Sequence, residues 1–129
     1  MTVGTSFQGL LRTWLKHSNA DHFDAATWWP GTAQQEKLLE ICGRNAATAY
    51  GRAHGFDRVR SVADYQASVP PVTYDALEPW IDRVTRGEPD VLTADRPLLF
   101  ATTSGTTGAA KYIPVTPSYL QEYSHGIHV

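Results

Sequence analysis

The feature that most constrains this chain is a change of apolar rhythm near residue 97. Before it, apolar residues recur at helical spacing. After it they fall into two short runs, Leu98 to Thr103 and Tyr112 to Val115, suited to strands. Between the runs lies "TSGTTGAAK", residues 103 to 111. Glycine, serine and threonine in such density favour turns over either regular structure, so the two runs are separate elements. Pro114 lacks an N–H and confines the second run to a sheet edge or a bulge. Helices first and a strand–loop–strand unit last predict an α+β class, mostly helical toward the N-terminus.

The helical part divides at its glycines and prolines. Thr32 to Gly55 reads as the longest helix, with a capping-box spacing from Thr32 to Gln35 and a stop at Gly55. Leu38, Leu39, Ile41, Cys42, Ala46, Ala49, Tyr50 and Ala53 supply its apolar face. Gly43 and Gly51 oppose it, each by about 1 kcal/mol relative to alanine. Ser61 and Asp64 open a short helix, and Pro70 and Pro71 then force an extended link. Thr73 caps a further helix through Tyr74, Leu77, Trp80, Ile81 and Val84 to Gly87, in which Pro79 predicts a kink or a restart. "GEPD", 87 to 90, is a turn, and Pro117 and Ser118 open a last helix.

Ahead of these elements, Phe7, Leu10, Leu11, Trp14 and Leu15 share one helix face. That stripe either packs onto the protein or, with Arg12 and Lys16, rests on a membrane surface or serves as an organelle address. Two cations are few for a membrane binder, which favours packing. Trp28 and Trp29 are expected to anchor against a core rather than to stack on a ligand.

Charge and cysteine content narrow the function classes. With 11 basic and 13 acidic residues, the net charge of -2 gives no electrostatic reason to expect nucleic acid. No apolar run approaches the ~20 residues of a membrane span, and no secretory block is evident, so a cytoplasmic protein is expected. Cys42 is the lone cysteine, which excludes an internal disulfide. It lies on an apolar helix face and is expected to be buried and unreactive. His125 and His128 could share a helix face but lack the further ligands of a metal site; no metal site is expected. Arg83 and Arg86 at a helix end, and Tyr74 and Asp75 at a helix start, read as capping and dipole residues.

The loop remains. Gly105 and Gly108 allow main-chain N–H groups to approach a ligand closely. Thr102, Thr103, Ser104, Thr106 and Thr107 offer hydroxyl donors, and Lys111 adds a compact positive charge. Donors without carboxylates, plus one cation, suit a polyanion such as a phosphate chain. An ordinary surface loop has a similar composition, so the residues alone leave both open. It is not a P-loop, because Ala109 and Ala110 separate Gly108 from Lys111 and Tyr112 follows.

"TSGTTGAAK" resembles the phosphate-loop motif of adenylate-forming enzymes, with Ala110 where proline is usual. The continuation "KYIPVT", 111 to 116, is similar to one branch, the auxin-responsive acyl-acid amido synthetases of plants and their bacterial relatives. "NAATAYGRAHGF", 45 to 56, and "SVADYQASVPPVTYDALEPWIDRVTRGEPDVLT", 61 to 93, agree with it. The resemblance runs from about Gln34 to about Tyr123. The shorter glycine loop departs from plant members, which often carry an extra residue there.

The resemblance implies an ATP-dependent ligase that adenylates a carboxylic acid and then joins it to an amino acid. Thr103, Ser104, Gly105, Thr106, Thr107, Gly108 and Lys111 would bind the ATP phosphates. Lys111 would act in catalysis, and Mg2+ would bridge the phosphates. It also implies a much longer protein. Residues 1–129 are then expected to be a single partial domain, the N-terminal part of a large adenylation domain. Within it, 1–31 would be a helix plus connection, 32–96 a helical region, and 97–129 the phosphate-loop strands and the start of a helix. Such a fragment, whether a truncated product or an excerpt, would not complete the reaction alone and would leave its strands without sheet partners. A fragment of a phenylacetate-type acyl-CoA ligase, a stand-alone anion-binding module and a non-catalytic interaction remnant are the alternatives.

Overall fold

A computed structural model describes residues 23, 24, 26–103 and 110–127. The stripe at 7–15, loop residues 104–109, the side chain of His125 and all of His128 lie outside the described part. The elements are α1 (Pro30–Asn45), α2 (Ala49–Ala53), a 3-10 turn (Phe56–Arg58), α3 (Val62–Ser68), α4 (Tyr74–Thr85), β1 (Leu99–Thr102), β2 (Tyr112–Val115) and α5 (Pro117–Ile127). The described chain is thus mostly helical with one small antiparallel sheet, in the predicted order.

Helix α1 begins with Pro30 in its first turn, where a missing N–H costs nothing. Trp29 is its N-cap, without a side-chain cap bond, so the expected box from Thr32 to Gln35 does not form. Trp28 and Trp29 stand at this end, away from the core, and are 79% and 72% exposed. Their expected burial is therefore not found.

The single helix expected over 32–55 is two. Asn45 ends α1 by donating from Nδ2 to the Ile41 carbonyl at 2.8 Å and accepting the Ala94 N–H on Oδ1 at 2.9 Å. Thr48 donates to the Asn45 carbonyl at 2.8 Å and accepts the Gly51 N–H at 2.9 Å, capping α2. The N–H groups of Ala49 and Tyr50 donate to the carbonyls of Asp90 and Val91 at 2.7 and 2.9 Å. Asp90, the last residue of the "GEPD" turn, and Val91 after it therefore take up donors that a continuous helix would have used internally. Asn45 and Thr48 are buried, where polar groups must find partners. Long-range bonding has overridden local helix propensity.

The core lies under this junction. Cys42, Phe56, Val59 and Val69 are buried together, with Leu38, Leu39, Ala46, Tyr50 and Tyr65 packed against them. The Tyr50 ring meets Phe56 and Trp80 edge-on at 6.0 and 5.4 Å, which ties α2 to α4. Cys42 is a free buried thiol, and burial pushes its pKa up. Gly55 takes φ +64°, a left-handed conformation, and ends the helical run as its position predicts.

The remaining helices begin where their sequence signals place them, although Thr73, expected to cap α4, makes no side-chain cap bond. Ser61 caps α3 by accepting the Asp64 N–H at 3.1 Å, and the Asp64 carboxylate accepts the N–H of Arg60, the residue before the cap, at 3.0 Å. Helix α4 runs on through Pro79 without restarting. It closes in a Schellman motif. Gly87 at φ +85° donates to Val84, Glu88 donates to Arg83, and the Arg83 guanidinium clamps the Glu88 carboxylate at 2.8 Å. Thr116 caps α5 by accepting the Tyr119 N–H at 3.2 Å, and Lys37 reaches Glu122 at 2.9 Å to join α1 to α5.

Candidate functional site

Strands β1 and β2 pair antiparallel, with Leu99 opposite Val115, Phe100 opposite Pro114, Ala101 opposite Ile113 and Thr102 opposite Tyr112. Thr103 and Lys111 carry the register one step further, since the Thr103 N–H donates to the Lys111 carbonyl at 3.2 Å. Opposed residues in an antiparallel ladder alternate between bonded and non-bonded pairs. Counting back from Thr103 and Lys111 makes 102/112 and 100/114 non-bonded. Pro114 thus turns its missing N–H to the outer edge, where the ladder loses nothing by it.

The same alternation turns the N–H of Tyr112 outward. It is taken by the hydroxyl of Tyr74, the first residue of α4, at 2.8 Å. That hydroxyl also lies 3.5 Å from the Tyr112 carbonyl. The Tyr74 ring faces the neighbouring residue, with the Lys111 ammonium 5.2 Å from its centroid. The Lys111 N–H donates to the Thr103 hydroxyl at 3.3 Å. Lys111 is therefore held through its carbonyl, its N–H and its side chain at the mouth of the loop.

Among the described residues Lys111 makes no ion pair. The intervening residues 104–109 read Ser, Gly, Thr, Thr, Gly, Ala, so no carboxylate belongs to the loop itself. A positive charge at the mouth of a neutral, hydroxyl-bearing loop attracts anions. Of the sequence-predicted site residues, Thr103 and Lys111 are brought together as a closing pair. Ser104, Gly105, Thr106, Thr107 and Gly108 lie outside the described residues.

Sequence reasoning missed Tyr74, which it took for a helix-start residue alone. It does start α4, but its side chain also reaches across to β2. No local pattern reports a contact with a strand so far along the chain. A separate open groove of about 800 Å³ is lined by Ile41, Tyr50, Phe56, Tyr65, Val69 and Leu77 among others. Tyr74, Thr103 and Lys111 do not line it, and among the described residues no group of three or more His, Cys, Asp or Glu side chains is placed to hold a metal ion. No helix among them is long and apolar enough to cross a membrane.

Comparison with known proteins matches residues 19–129 to the GH3 family N-terminal domain. Indole-3-acetic acid-amido synthetase GH3.8 of Oryza sativa subsp. indica is 41% identical over 85 residues, which is 64% of this chain and 14% of that protein. Indole-3-acetic acid-amido synthetase GH3.15 of Arabidopsis thaliana is 40% identical over 91 residues, 68% of this chain and 15% of that protein. Jasmonoyl--L-amino acid synthetase GH3.3 of Oryza sativa subsp. japonica is 35% identical over 95 residues, 72% of this chain and 21% of that protein. The matched region is thus 14% to 21% of the length of these relatives.

Proposed function

The chain belongs to the GH3 family, and from that membership we propose that it forms the N-terminal part of an ATP-dependent acyl-acid amido synthetase and supplies the loop that grips the ATP phosphates. The names of its relatives, two indole-3-acetic acid-amido synthetases and a jasmonoyl--L-amino acid synthetase, support the reaction class. The observation that carries the role of the loop is the closing pair of Thr103 and Lys111. It sets an ammonium that makes no ion pair among the described residues next in sequence to a carboxylate-free run of hydroxyls and glycines.

In this proposal the substrate carboxylate attacks the α-phosphorus of ATP, and the bond to the bridging oxygen breaks with release of pyrophosphate. The amine of an amino acid then attacks the acyl-adenylate carbonyl, loses a proton and expels AMP. Hydroxyls of Thr103, Ser104, Thr106 and Thr107 and main-chain N–H groups at Gly105 and Gly108 donate to the β- and γ-phosphates. Lys111 offsets charge that grows on the leaving pyrophosphate. The loop has hydroxyls but no carboxylate, so it offers no charged ligand for Mg2+, which would arrive with the nucleotide. Bound there, the ion would offset negative charge on the phosphate oxygens.

Binding of the adenine, the acid and the amino acid falls to the rest of the longer protein, and the chain by itself does not complete the reaction. Leu98, Leu99 and Ile113 are each at least half exposed, which fits a hairpin whose apolar side chains are covered by the rest of the longer protein. The test is acid-dependent exchange of pyrophosphate into ATP by the longer protein, followed by product analysis with amino acids or coenzyme A supplied. Exchange followed by amide formation supports the proposal. Exchange followed only by thioester formation, or none with any carboxylic acid, overturns it.

A further inference from the structure

One side chain at this site has no role in the function just described. Tyr74 makes two contacts here, one with the first residue of β2 and one with the residue just before it. Its hydroxyl takes the outward N–H of Tyr112 at 2.8 Å, and its ring face lies 5.2 Å from the ammonium of Lys111. Each contact alone would be unremarkable in a small sheet. Together they fix both the backbone next to Lys111 and the end of its side chain.

The geometry matters because lysine is a flexible point charge. Free in water, its four-carbon stem samples many rotamers, and ordering such a stem costs entropy on binding. An aromatic face attracts the ammonium without neutralising it. A carboxylate partner would hold the lysine as well but would cancel the charge a polyanion needs. Helix α4, closed at its far end by the Schellman motif and the Arg83–Glu88 clamp, gives the ring a fixed base. The Tyr74 ring can thus narrow the reach of Lys111 while leaving its charge available.

We propose that Tyr74 is a positioning residue for Lys111, holding the ammonium at the loop mouth so that it meets a polyphosphate already in place. This rests on the phosphate-binding role proposed above for the loop. It also makes the start of α4 part of the site, so a shift of that helix would be felt at the phosphates.

The test uses the longer protein, selectively labelled at lysine and tyrosine, and three variants, Tyr74→Phe, Tyr74→Leu and Lys111→Ala. Nuclear magnetic resonance reads the Lys111 ε-methylene protons and exchange of the Tyr112 amide, and titration with inorganic tripolyphosphate reads affinity. In the wild type the Lys111 signals are displaced upfield by the ring. Tyr74→Phe keeps that displacement but speeds Tyr112 amide exchange. Tyr74→Leu abolishes it and weakens tripolyphosphate binding by about three- to five-fold, the scale of an exposed cation–aromatic contact.

Lys111 signals at their solvent-exposed position in the wild type, or unmoved by Tyr74→Leu, refute the proposal. So does affinity that Lys111→Ala weakens but Tyr74→Leu does not, an outcome that leaves the phosphate role of the loop standing. If Lys111→Ala leaves tripolyphosphate binding unchanged, absence of binding included, the phosphate role itself fails and Tyr74 has nothing to position. Should Tyr74→Leu not fold, Tyr74→Phe decides alone: it must separate fast Tyr112 exchange from a retained Lys111 displacement.

Discussion

Replacing Gly51 with alanine sets two forces of opposite sign against each other. Helix propensity alone favours alanine by roughly 0.5–1 kcal/mol, and the unfolded chain becomes less free. The tertiary contact points the other way. A Cβ at Gly51 would lie 2.1 Å from the Asn45 carbonyl oxygen and 3.1 Å from the Thr48 hydroxyl. The oxygen belongs to backbone and cannot rotate away, so the junction between α1 and α2 must shift. Overpacking of this kind costs about 1–3 kcal/mol. The shift also strains the Thr48 cap, worth about 1 kcal/mol. The net expectation is a loss of about 2 kcal/mol, from mid-range values of the three contributions. Gly43→Ala supplies the control, since nothing lies within 4 Å of its Cβ. It should gain about 0.5–1 kcal/mol. Urea unfolding of both variants, followed by far-UV circular dichroism, measures the pair. If Gly51→Ala is as stabilising as Gly43→Ala, the tight junction does not exist and α1 and α2 are free to merge.

Removing the α3 cap by Ser61→Ala should cost about 1 kcal/mol in the same urea assay, since the Asp64 N–H loses its acceptor; no change would mean the cap is idle. Acid should destabilise the chain. Glu40 beside Lys37, Asp64 at the Ser61 cap and Glu88 beside Arg83 are all held below the ordinary carboxylate range. A depressed carboxylate stabilises the fold above its unfolded pKa, and that contribution fades as pH falls through the folded value. Stability should therefore drop below about pH 4.5 and do so less steeply in Glu88→Gln; an equally steep acid limb in that variant would remove the clamp from the account.

Much of the fold is legible because its signals are local. Ser61 and Asp64, Gly55, Gly87 and Pro117 each mark a boundary through short-range backbone chemistry, and each boundary stands where expected. The two strands are legible because an apolar run cannot continue through a glycine–threonine loop. The break between α1 and α2 was not legible. Its cause is bonding from Asp90, Val91 and Ala94 to residues 41 to 49 positions earlier, and no helical periodicity reports that. Trp28 and Trp29 misled for a related reason: an aromatic side chain signals a capacity for burial but not the presence of a surface to bury against. At the site, residue types made Thr103 and Lys111 visible, whereas Tyr74 is defined only by where helix α4 meets β2.

The most direct test of the central claim is exchange of pyrophosphate into ATP by the longer protein carrying Lys111→Ala. Loss of one well-placed group on the leaving phosphates should slow exchange about a hundred-fold or more, with far-UV spectra unchanged because Lys111 is exposed. Exchange at close to the unaltered rate would contradict the claim that this lysine and the loop before it act on the polyphosphate.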